Sequence, residues 1–169
     1  MVKQKKFWVV LLCFAAAGAG VWYYCASQTP EAKMRRAIEI LADCASKSPG
    51  DGTTSGVVKL HGAMELFTDP SRLEIYPGMI SGDISVGELQ SHLARYRSSF
   101  DHVTVTAEVV SVRATAEDRG EMEFTGTLRG VLKSGQRVSE DRELYCEFRR
   151  DEKGKWRIAR MQVRDILER

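Results

Sequence analysis

The sequence predicts an α+β domain, with three helices packed on a curved antiparallel sheet behind one transmembrane helix. Three observations carry this. An uncharged apolar stretch stands near the start, from Phe7 to Cys25. Amphipathic segments with a period near 3.6 follow it, and from about Phe100 the period drops to 2. Helices first and strands last is the order of a fold in which helices cover one face of a sheet.

A chain of 169 residues, 43% apolar and 28% charged, has room for one domain and enough apolar surface to fold it. The formal net charge is +2, and Lys3, Lys5 and Lys6 account for more than that. The chain from Ala26 onward is therefore near neutral. It lacks the clustered positive charge of a phosphate-backbone binder, so nucleic acid is not an expected partner.

At ~1.5 Å per residue, a helix over Phe7–Cys25 nearly spans the ~30 Å hydrocarbon core of a bilayer. The three lysines ahead of it favour the cytoplasmic side, and Trp22, Tyr23 and Tyr24 suit the far interface. The expected layout is a cytoplasmic tail (1–6), a signal anchor (7–25), a linker (26–29) and an exported domain (30–169). That places the protein in the cell inner membrane as a single-pass chain with its domain in the periplasm. The competing reading is a secretory signal peptide whose apolar stretch ends at Ala16, cleaved near Ala17-Gly18-Ala19, which leaves a secreted protein.

Thr29 and Pro30 have the cap and first-turn chemistry of a helix start, and Glu31 suits its positive end. Met34, Ala37, Ile38, Leu41, Cys44 and Ala45 recur on one face until Ser48-Pro49-Gly50 ends the helix. A second helix is expected from about Thr54 to Phe67, with Val57, Leu60, His61, Met64 and Phe67 inward and Asp69-Pro70 as its stop. Leu73–Tyr76 reads as a short strand. Ser85-Val86-Gly87-Glu88 is a capping box that opens a third helix, with Leu89, Leu93, Tyr96 and then Phe100 inward.

Four long strands follow, over His102–Thr115, Glu121–Leu132, Val138–Arg149 and Trp156–Asp165. Short turns join them into an antiparallel meander. Strands of this length must twist and coil, and Gly126 and Gly130 are candidates for the bends. A sheet curled around three helices leaves a cone, whose mouth is a natural place for an apolar pocket.

Particular segments resemble the nuclear transport factor 2-like superfamily, also called SnoaL-like or cystatin-like α+β rolls. They are Met64-Glu65-Leu66-Phe67-Thr68-Asp69 running into Leu73-Glu74-Ile75, then Ile84-Ser85-Val86-Gly87-Glu88-Leu89, and Gly154-Lys155-Trp156-Arg157-Ile158-Ala159-Arg160-Met161. The resemblance covers about Pro30 to Glu168. It implies an α+β roll, and it implies a homodimer through the sheet face. It chooses no function, because isomerases, dehydratases, ligand carriers and scaffolds share the fold.

Enzymes of this kind place an Asp, Glu or His inside the cone. The catalytic candidates here are His61, on the inward face expected for helix two, and Asp69, with Glu74, Tyr76, Asp83, Glu108 and Glu123 behind them. Tyr76 and His92 are the candidates for ligand contact. An inward histidine can act as a general base, or it can simply be hydrogen-bonded in the core. The strand glutamates can equally face Arg129, Arg142 and Arg149 on the outer side of the sheet, as cross-strand pairs. Cys44 and Cys146 lie on inward faces; a disulfide between them and two buried thiols both stay open. No spacing of metal ligands or cofactor motif is readable. The expected role is therefore a membrane-anchored, extracytoplasmic binding or scaffold domain for a small apolar ligand or a protein partner. The alternative is a cone-pocket acid/base enzyme of isomerase or dehydratase type.

Overall fold

A computed structural model describes residues 28–75 and 80–166. The apolar leading stretch and Tyr76 lie outside the described residues. Among the described residues, no helix is long and apolar enough to cross a membrane.

The described residues form three helices and six strands. Helix α1 (Pro30–Ala45) starts as expected: Pro30 holds its first position and the Thr29 hydroxyl accepts from the Ala32 amide at 3.2 Å. Met34, Ala37, Ile38 and Cys44 form its buried face. Helix α2 (Thr53–Met64) is shorter than expected, because Phe67 opens a strand. It is also turned on its axis. Ala63 and Met64 are buried, while Val57 and Val58 are more than half exposed and His61 faces solvent. The face turned to α1 carries Gly62, from which an added Cβ would sit at ordinary contact distance, 3.6 Å, from the Cys44 sulfur.

Strand β1 (Phe67–Ile75) contains Asp69-Pro70, which therefore lies within a strand and does not terminate a helix. It pairs with β2 (Ile80–Ile84). Helix α3 (Val86–Ser99) begins with the full capping box between Ser85 and Glu88. The meander comprises β3 (Phe100–Ala114), β4 (Arg119–Leu132), β5 (Arg137–Arg150) and β6 (Trp156–Ile166), within two residues of the expected bounds. The sheet order is β2-β1-β6-β5-β4-β3. One feature departs from an all-antiparallel sheet: β1 runs parallel to β6. The whole meander separates these two strands in sequence, and such a long connection permits the parallel pairing that a hairpin cannot make.

The helices cover one face of this sheet. Met34 and Ile38 of α1 share a core with Met122, Cys146, Phe148 and Ile158 of the meander. Inward alternation along β3 runs through Val103, Val105, Ala107 and Val109, then slips at a bulge that leaves Val110 exposed and returns Val112 inward. A second irregularity, at Phe100–His102, faces Gly130, where a Cβ would meet the His102 carbonyl at 2.7 Å. Gly130, expected at a bend, is placed where two backbones approach closely at a bulge. Cys44 and Cys146 are both buried free thiols, so the disulfide is not formed. Cys44 packs at the α1–α2 contact, whereas Cys146 sits between Met122 and Met161 in the sheet.

Candidate functional site

Between the helices and the inner face of the sheet lies a cavity of about 350 Å³. The sequence builds it by periodicity. On α1, Ile38, Leu41, Ala42 and Ala45 recur at helical spacing and line one wall. On α3, Leu89, His92, Leu93 and Tyr96 do the same, so the stripe that buries the two leucines carries the histidine and the tyrosine inward with them. The floor is the alternating inner set of the meander, including Ala107, Phe124, Leu144 and Met161. Gly126 lets the Leu144 side chain pack onto the strand there: a Cβ on it would come within 2.8 Å of the Leu144 Cδ1.

The lining is almost wholly hydrocarbon and thioether. Among the described residues it contains no carboxylate, lysine or arginine, and His92 and Tyr96 are its titratable groups. The Tyr96 ring packs against Phe100 with centroids 5.1 Å apart. Burial pushes its phenol up to about 12, so it stays protonated and can only donate or accept as a neutral hydroxyl. That hydroxyl is buried and has no protein hydrogen-bond partner.

The other expected site residues fall elsewhere. His61 is exposed on α2, with its Nε2 3.6 Å from the Glu65 carboxylate. The reason is the rotation of α2 described above. Asp69 is also exposed, and its Oδ1 accepts from the Val86 amide at 3.3 Å, at the start of α3. Glu74 lies under Arg72 and Arg160, and the Arg72 hydrogen bond holds its carboxyl below the usual carboxylate range. Glu123 pairs with Arg164, while Asp83 and Glu108 are exposed. The outer-face charges do pair across strands, as Arg160–Glu147, Arg164–Glu123 and Arg113–Glu121. Their cations are largely not the arginines expected from alternation alone, because the partner in register is fixed only once the strands are aligned. His92 lines the cavity, and Tyr76 lies outside the described residues.

Arg97 carries no signal in the sequence, yet among the described residues it is the most buried charge, at 6% exposure. Its guanidinium donates to the Cys44 and Ser46 carbonyls and stands 3.4 Å from Asp51. It thereby satisfies the free carbonyl end of α1 and ties α1 to α3, the two helices that wall the cavity. No periodic signal marks such a residue, since its partners lie about fifty positions away.

No family model matches the chain, and no curated protein does. Solved structures do match. A ketosteroid isomerase-like protein from Erwinia carotovora atroseptica superposes with a TM-score of 0.62 at 18% identity, over 84% of this chain and 99% of its own. The Kfla4162 protein from Kribbella flavida gives 0.69 at 15% identity, over 84% and 93%. A hexachlorocyclohexane dehydrochlorinase, LinA type 2, gives 0.60 at 13% identity, over 80% and 86%. At these identities the likeness concerns the fold alone: the chain shares its α+β roll with these structures.

Proposed function

We propose that this protein is a membrane-anchored, extracytoplasmic domain that binds a small apolar molecule in its cavity and performs no chemistry on it. One observation carries the reading: a cavity of about 350 Å³ whose wall holds no carboxylate among the described residues. That volume lies at the lower end of the ~300–1,000 Å³ range of small-molecule sites, and an apolar lining favours apolar contents. A protein partner or a second copy on the outer face of the sheet is less well supported, because paired charges such as Arg160–Glu74 and Arg164–Glu123 cover it and would have to be desolvated. The alternative, an acid/base enzyme, draws support from His92 and Tyr96 in the lining and from the isomerase-like and dehydrochlorinase neighbours.

Two experiments test the proposal. Fluorescence titration of the purified full chain with naphthalene is expected to saturate at one molecule per chain. The Ala107→Leu variant, which fills the floor of the cavity, is expected to remain folded and lose that binding. Equal uptake by both chains in the same detergent would contradict the site. For the anchor, fractionated cells are expected to hold the protein in the membrane pellet at its full 19.0 kDa mass. A shortened soluble product would favour the cleaved, secreted form.

A further inference from the structure

The domain has two unlike ends, and the cavity belongs to one of them. Strand register sorts the inner face of the meander into rows that cross β4, β5 and β6. At one end Gly120, Phe148 and Ile158 share a row, and Met122, Cys146 and Met161 form the next. Met34 of α1 packs down on the first row: a Cβ added to Gly120 would stand 2.7 Å from the Met34 Cε. Met34, Met122, Cys146, Phe148 and Ile158 are at most 1% exposed, so this end is solid core. The cavity begins beyond it. Met64 and Phe67, both buried, close its base, and the lining then climbs past Phe124 and Leu144 to Gly126 and to the Val105–Leu128 pair. On α1 it starts at Ile38 and does not include Met34. From the Gly120 row to the Gly126 row is about 20 Å of strand, at ~3.4 Å per residue.

The chain leads into the domain at the solid end. Glu31, in the first turn of α1, accepts from the Ala114 amide at 3.0 Å, where β3 turns towards β4. The β5–β6 turn lies alongside, since the Arg150 amide donates to the Asp118 carbonyl at 2.8 Å. Residues 26–29 separate the expected anchor from Pro30, and four residues reach about 14 Å at full extension. That tether holds the solid end close to the bilayer. The flanks are poor surfaces for lying flat on lipid. The outer face of the sheet carries Arg160–Glu147 and Arg164–Glu123, and α1 exposes Arg35, Arg36 and Glu39. Taking these charges out of water would be costly.

Resting on the anchored, ligand-binding reading above, we propose that the cavity exchanges its ligand with the aqueous phase, at the end of the domain away from the bilayer. The membrane that holds the anchor is not the source. The ligand is then a small uncharged apolar solute with measurable solubility in water, and membrane lipid is not its cargo.

The test uses the full chain in phosphatidylcholine nanodiscs, with naphthalene as probe and Ala107→Leu as the blank. Lipids bearing a gadolinium chelate on the headgroup are expected to broaden the methyl signals of Met34 and Val112 more than those of Leu93 and Leu128. The association rate of naphthalene, at one dissolved concentration, is expected to agree within about twofold between two lipid compositions that absorb the probe to different extents. If naphthalene binds and its association rate follows the amount in the bilayer, this inference fails while site and anchor stand. Broadening that is equal at both ends, or stronger at Leu93 and Leu128, would also overturn it. Absence of broadening at every methyl would overturn the anchor and this inference together. Absence of naphthalene binding would overturn the site and this inference together.

Discussion

At the scale of single residues, the site depends on how two side chains of α3 resolve their polarity. Tyr96 and Arg97 are neighbours in sequence and point to different sides of the helix. Arg97 is fully engaged, with two backbone carbonyls and Asp51 around its guanidinium. Replacing it by methionine keeps the length of the side chain and strips the carbonyls of their donor. The Arg97→Met chain is expected to lose about 3 kcal/mol of stability, the cost of leaving buried acceptors unpaired after losing a charged donor. Urea unfolding checks this. An unchanged midpoint would mean that the α1–α3 tie carries no stability.

Among the elements, the helix starts were legible in the sequence because capping is local chemistry. Thr29-Pro30 and Ser85–Glu88 act within one turn, and both are found where the pattern places them. The strands were legible because a 2-residue period recurs along each of the four, although bulges interrupt it in β3 and between β5 and β6. Helix α2 is harder to orient from sequence: Met64 is inward as its spacing places it, but Gly62 and Ala63 beside it give a weak apolar signal, while Val57 and Val58 supply apolar character on the outside. The cavity stripe on α3 was half legible: spacing places Leu89, Leu93 and Tyr96 inward, but which of them borders empty space depends on the facing strands.

The caps and turns also set the acid sensitivity of these elements. Ser85 amide and hydroxyl donors hold Glu88 below the usual carboxylate range, and the Ser48 amide does the same for Asp51. At the β5–β6 turn, Arg157 first and then the Lys155 amide lower Asp151. A carboxyl lowered in the folded state stabilises fully above its unfolded value, ~4, and that contribution is lost as pH falls through the lower folded value. The thermal midpoint is therefore expected to be flat near neutrality and to fall below about pH 4. Glu88→Gln should lower the midpoint at pH 7 and lessen the drop on acidification. An acid slope unaffected by this substitution would remove the capping box from the account.

For the molecule as a whole, the two faces of one sheet divide the work. The outer face is a lattice of paired charges across β1, β6, β5 and β4, and the inner face supplies the core and the cavity floor. The same alternation that folds the meander thus separates a solvated surface from a dry one. The catalytic candidates with carboxylates ended outside the cavity for this reason: Glu74, Glu108 and Glu123 occupy the alternate positions of their strands, and a shift of one residue would have put them inside. The central claim is that the cavity is an apolar ligand site. Methyl NMR of the full chain titrated with naphthalene tests it most directly. The account predicts saturable shifts at Ile38, Leu93, Leu144 and Met161, with Val57, Val58 and Val110 unmoved. Shifts confined to those exposed valines, or none at saturating probe, would contradict it.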